Sequence, residues 1–93
     1  MVYRDKTYDE ERALYGIEDS SVLNCLFDGP ADGESALKEC RNISVENCEF
    51  RLRYPFWHVD GGVIKNCKLT DTCNQVVKTI TIDDIVINLV YGI

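Results

Sequence analysis

Ninety-three residues make one small domain with a limited core. Ten Lys and Arg against sixteen Asp and Glu leave a net charge of −6, which argues against nucleic acid and anionic membrane as partners, since both require a basic footprint. No apolar run reaches the roughly 18 residues of a spanning helix, and the polar start Tyr3-Arg4-Asp5-Lys6 does not read as a signal peptide, so a cytoplasmic location is expected.

Residues 1–19 read as an N-terminal cap, with Tyr8 to Tyr15 covering the first structural unit and Arg12 anchoring it. From residue 20 the chain repeats. Val22-Leu23-Asn24-Cys25-Leu26-Phe27 returns as Val45-Glu46-Asn47-Cys48-Glu49-Phe50 and as Ile64-Lys65-Asn66-Cys67-Lys68-Leu69. A degraded fourth copy is Ile82-Asp83-Asp84-Ile85-Val86-Ile87, and the spacings are 23, 19 and 18 residues. Periods near 20 indicate a solenoid. A leucine-rich frame is missing, and the units are too short for helix pairs.

Within a unit the alternation has period two, as in Ile43-x-Val45 and Cys48-x-Phe50, but its phase slips at Glu46-Asn47. That slip marks a corner, where Asn tolerates the left-handed backbone better than most side chains. Stacked corners let the Asn24, Asn47 and Asn66 amides bond along the stack. The expected fold is all-β: a right-handed parallel β-helix of three to four coils spanning 20–93, with Val, Cys and Phe or Leu stacked like on like. Five cysteines without Cys-x-x-Cys spacing, in a chain expected to be intracellular, read as free thiols packed as small hydrophobes. No metal and no cofactor is expected; Asp28, Asp32 and Glu34 around a glycine turn do not follow the calcium-loop pattern.

The same alignment registers a third strand. Leu37 falls beneath Phe56, Cys40 beneath Val59, and Glu39 beneath His58. Glu34/Arg53/Asp71 and Arg41/Asp60/Lys78 become ladders of alternating charge, which favour this register. Alternation turns Glu34, Lys38, Arg53 and Trp57 outward, beside the Asp28–Gly33 loop.

Three segments carry a family resemblance: Glu11-Arg12-Ala13-Leu14-Tyr15-Gly16, Asp32-Gly33-Glu34-Ser35-Ala36-Leu37-Lys38-Glu39 and Arg53-Tyr54-Pro55-Phe56-Trp57-His58. In this order they resemble the N-terminal third of the bacterial domain-of-unknown-function family numbered 3737. The resemblance covers roughly residues 8 to 70 and implies a right-handed parallel β-helix, but no activity. Thr72-Cys73-Asn74-Gln75-Val76-Val77-Lys78 departs from the family's pattern, so a shortened member is expected.

Two functions compete. The first is a non-catalytic module that self-associates into a two-fold homodimer through an uncapped C-terminal coil, with Ile80, Ile82, Ile85, Ile87, Leu89 and Tyr91 at the interface. The second is a saccharide-binding or carbohydrate-active protein, with Trp57, Arg53, Lys38 and Glu34 contacting sugar. A polysaccharide hydrolase or lyase would draw its catalytic groups from Glu34, His58 and Asp32. Ser35 is the nearest nucleophile for triad chemistry. Charged pairs of this kind are more often a solvated ladder than an active site.

Overall fold

The computed structural model describes residues 1–10, 12–28, 36–51, 55–71 and 78–91. They form a parallel β-solenoid of about three turns, with no helix among the described residues. The strands are β1 (Val2–Arg4), β2 (Thr7–Tyr8), β3 (Glu18–Leu23), β4 (Leu26–Phe27), β5 (Arg41–Glu46), β6 (Glu49–Phe50), β7 (Trp57–Asp71) and β8 (Lys78–Tyr91). One parallel face runs β1-β3-β5-β7 and the other β2-β4-β6-β7, so the long β7 joins both.

Register follows the repeat. Val22 pairs with Val45 and Val45 with Ile64, while Phe27 pairs with Phe50 and Phe50 with Leu69. The Val22, Val45 and Ile64 column, the Cys25, Cys48 and Cys67 column and the Phe27, Phe50 and Leu69 column are all buried. Tyr8 extends the aromatic stack downward, at 5.1 Å from Phe27, and Phe27 lies 4.6 Å from Phe50 with rings 6° from parallel. Offset stacking of this kind adds to the burial of large apolar side chains.

The Asn corners take the left-handed backbone: φ is 53° at Asn24, 56° at Asn47 and 52° at Asn66. Asn66 donates to Asn47 Oδ1 at 2.6 Å, and Asn24 donates to Asp5 Oδ1 at 2.7 Å. Asp5, itself at φ 56°, is the lowest corner. Tyr3-Arg4-Asp5-Lys6-Thr7-Tyr8 is therefore an earlier copy of the repeat, and the first nineteen residues supply β1, β2 and the start of β3 as well as the turns expected of a cap. A second corner column, Asp19, Asn42 and Gly61, has φ of 50°, 53° and 77°. Here Asn42 donates to Asp19 Oδ1 at 2.6 Å. Both amide columns thus end on an aspartate in the first coil, a charged acceptor that strengthens the final bond.

Two sequence expectations need correction. The third face has the expected register, with Leu37, Phe56, Cys40 and Val59 buried, but residues 12–16, 36–39 and 55–56 are turns and not strands. The reason is a left-handed residue at every second position: Leu14 and Gly16, Leu37 and Glu39, Phe56 and His58. Each bends the backbone so that the coil closes within a few residues, while Leu37 N–H still donates to Ala13 O at 2.8 Å and Phe56 N–H to Ala36 O at 3.0 Å.

The second correction concerns the fourth copy. Residues 80–87 do not stack as a further parallel coil; β8 runs antiparallel to β7, pairing Ile64 with Ile85, Cys67 with Ile82 and Leu69 with Ile80. Lys78 accordingly lies across from Asp71 and not above Asp60, which pairs with Leu89. The Arg41/Asp60 step of the charge ladder is in register, and Arg41 also reaches Glu18 at 3.8 Å.

Candidate functional site

The turn 36–39 and the start of β7 carry Lys38, Glu39, Trp57 and His58. Lys38 lies one coil below Trp57, and Glu39 one coil below His58, because Glu39 N–H donates to Trp57 O at 2.8 Å and locks the two turns together. Glu39 and His58 both occupy left-handed positions (φ 59° and 56°), which aim their side chains along the same outer edge. Their pairing is as the sequence register predicts: His58 Nδ1 and Glu39 Oε1 are 2.7 Å apart, with both side chains about two-fifths exposed. The Trp57 and His58 rings sit 5.4 Å apart, tilted by 37°.

Trp57 and Lys38 are half-buried. The expected outward column is therefore partly sunk between coils, with Tyr15 at its base 56% exposed. Asp32, Glu34, Ser35 and Arg53 lie outside the described residues, so the proposed carboxylate pair and the nucleophile beside His58 have no described geometry. Asp28 is engaged by Arg51 at 3.6 Å, and Arg51 is also hydrogen-bonded to Glu49.

The thiols form a second cluster of reactive groups. Cys25, Cys40, Cys48 and Cys67 are free and buried, and Cys73 lies outside the described residues. All four point back to their own coil: Cys25 Sγ lies 3.3 Å from Leu23 O, Cys40 Sγ 3.6 Å from Lys38 O, Cys48 Sγ 3.3 Å from Glu46 O and Cys67 Sγ 3.3 Å from Lys65 O. Burial pushes the Cys40 thiol up to about 11. The bond shared with Cys67, together with burial, pushes Cys48 up as well. Cys40 and Cys48, held protonated in this way, are poor nucleophiles and poor metal ligands, whereas the bond shared with Cys48 holds the Cys67 thiol below its ordinary value.

A family model described as "Protein of unknown function (DUF3737)" matches residues 1–90. The chain belongs to this family. No curated protein and no solved structure matches it. The DUF3737 match extends past the segments that carry the resemblance at both ends, taking in the Tyr3–Tyr8 copy and almost all of β8. No helix among the described residues is long and apolar enough to cross a membrane.

Two features of this DUF3737 chain were missed in the sequence and were visible there in weak form. The Tyr3–Tyr8 copy keeps the apolar-x-corner-x-x-aromatic frame, but with Asp for Asn and Lys for Cys. The Asp19/Asn42/Gly61 column keeps the same 23- and 19-residue offsets as the Asn-Cys corners, though no second residue type marks it.

Proposed function

We propose that this protein is a non-catalytic β-solenoid module that self-associates by strand pairing through β8. One observation carries the reading. β8 is fourteen residues long and bonded to β7 along one edge, and among the described residues no strand lies on its other edge. A long strand with one free edge is a template for pairing with another chain. Antiparallel pairing of β8 with its copy closes a two-fold dimer without leaving a further edge. Ile80, Ile82, Ile85, Ile87, Leu89 and Tyr91 all lie on β8, although their side chains fall outside the description.

A proline scan across residues 82–88, read by light scattering and thermal melting, tests this. In an antiparallel ladder alternate residues direct their N–H groups to opposite neighbours. Proline at positions facing β7 should lower the melting temperature, and proline at the intervening positions should dissociate the dimer with little loss of fold. A monomer of 10.6 kDa at all concentrations would falsify the reading.

The Trp57, His58 and Glu39 cluster favours a second reading, saccharide binding on the third face. An indole beside an imidazole held by a carboxylate offers an aromatic surface for the C–H face of a sugar. If Glu34, Asp32 and Arg53 join it, Trp57→Ala should abolish oligosaccharide binding in a glycan screen. A screen with no hits rejects the site.

A further inference from the structure

Beside the asparagine column lies an open groove of about 600 Å³ whose lining does not include Trp57, within the size range of small-ligand sites. One side is the column Asn24, Asn47 and Asn66; the other is Thr7, Leu26, Glu49 and Lys68, stacked one per coil in strict register. The rigid solenoid holds both sides at the coil pitch of about 4.8 Å.

The polar groups of this groove are not all used. Asn66 bonds to Asn47 and Asn24 to Asp5, but no bond joins Asn47 to Asn24 among the described residues. The Asn47 amide hydrogens and the Asn24 carbonyl oxygen are thus left for another partner. Lys6 at one end and Lys68 at the other make no ion pair among the described residues, whereas Arg51 is held by Glu49 and Asp28. Among the described residues an acidic protein therefore places two ammonium groups without an ion pair at the ends of one groove, about three coil steps or 14 Å apart.

We infer that this groove binds a short acidic saccharide, with ring hydroxyls on the asparagine amides and carboxylate or sulfate groups at Lys6 and Lys68. The pitch selects against an extended peptide, whose like-facing groups recur every two residues, about 6.6 Å, and fall out of step with the amides. A pyranose ring spans about one coil step, and Leu26, half-buried in the wall, offers an apolar patch to a sugar's C–H face. Ammonium–anion hydrogen bonds at both ends set the polarity of the ligand.

The test is calorimetric titration at low salt with trigalacturonate, a sulfated tetrasaccharide, neutral cellotetraose and sodium sulfate. Binding of trigalacturonate or the sulfated sugar, with cellotetraose weaker, is expected, and which of the two binds identifies the anion. Lys6→Gln and Lys68→Gln should each weaken that binding about tenfold. Asn47→Asp, which keeps a corner-compatible residue and removes the amide donors, should also weaken it. Lys65→Gln, on the strand across the corner and outside the groove, should not. Circular dichroism confirms that each variant is folded. The inference is overturned by absence of binding at millimolar sugar, by equal affinity in the double lysine variant, by sulfate binding as tightly as the sugars, or by loss of binding in Trp57→Ala alone.

Discussion

The two ends of the solenoid present opposite kinds of edge. At the N-terminal end the outermost strands, β1 and β2, are three and two residues long and are separated by the exposed Asp5 and Lys6. Tyr3 and Tyr8 pack over the core from below. Short, charged, interrupted strands are how natural sheets prevent unwanted pairing. At the other end β8 offers fourteen residues without a left-handed corner. After Lys78 its only charged residues are Asp83 and Asp84, both exposed. Among the described residues the two ends thus differ in edge length and charge, and the self-association proposed above would use the β8 end alone.

The difference begins in how each region is specified. In the parallel coils the Val/Ile, Asn, Cys and Phe/Leu columns repeat a residue type, so register and direction are fixed together. Phe50 sits at the centre of this system, fully buried, stacked on Phe27 and edge-on to Phe56 at 4.9 Å. Phe50→Ala should therefore have the largest effect, a loss of about 3–5 kcal/mol, measured by urea denaturation. If the coils tolerate it with less than about 1 kcal/mol lost, they are not held by column packing, and the contrast with β8 fails.

That contrast also explains what was legible. The solenoid, the Asn-Cys corners, the buried columns and the Glu39–His58 pair follow from the repeat because identical residues at fixed offsets admit one stacking. The direction of β8 did not follow, for a specific reason. Ile80, Ile82, Ile85 and Ile87 are spaced symmetrically about the Asp83–Asp84 step, so the pattern reads the same in either direction. Parallel stacking would place Ile82, Ile85 and Ile87 over Ile64, Cys67 and Leu69; antiparallel pairing places Ile85, Ile82 and Ile80 there. Chain length does not decide between them, because the offset from Ile64 to Ile82 is 18 residues, close to the 19 from Val45 to Ile64. The structure takes the antiparallel arrangement. Opposite charges support the result, with Lys78 across from Asp71 and Asp84 across from Lys65. The turn character of the third face was hidden because Leu14, Leu37, Glu39 and Phe56 are not residue types that announce a left-handed backbone.

A smaller effect separates corner geometry from corner bonding. Asn47→Gly keeps the left-handed corner at φ 56° and loses the bond received from Asn66, so it should cost about 1 kcal/mol. Asn47→Ala loses the same bond and must also hold a Cβ in the left-handed region, adding about 1–2 kcal/mol. The two variants should therefore differ by roughly the strain term in chemical denaturation. Equal values would show that the corner is not what fixes the coil. The equivalent change in β8, which has no such corner, should show no Ala–Gly difference in this direction.

The smallest expected effect is a pH dependence confined to the alkaline side. Cys40 is fully buried, in register between Ile17 and Val59, and its thiol lies 3.3 Å from Leu14 O. Burial raises it from 9.0 to about 11, against the weaker opposing pull of the Ile17 and Gly16 backbone. A folded-state value above the unfolded one means that the unfolded chain releases its proton first as pH rises. The contribution of the buried thiol to stability is therefore fully present below pH 9 and declines between pH 9 and about 11. Cys40→Ala should remove this part of the alkaline slope in a denaturation series while lowering stability at pH 7 through the cavity it leaves. Alkylation agrees in sign: native Cys40 should react far more slowly at pH 8 than the same thiol in urea, since the thiolate is the reacting form. An alkaline slope unchanged by Cys40→Ala would mean that the thiol reaches solvent in the folded chain, and that the third-face turns are looser than the β3 to β6 coils beside them.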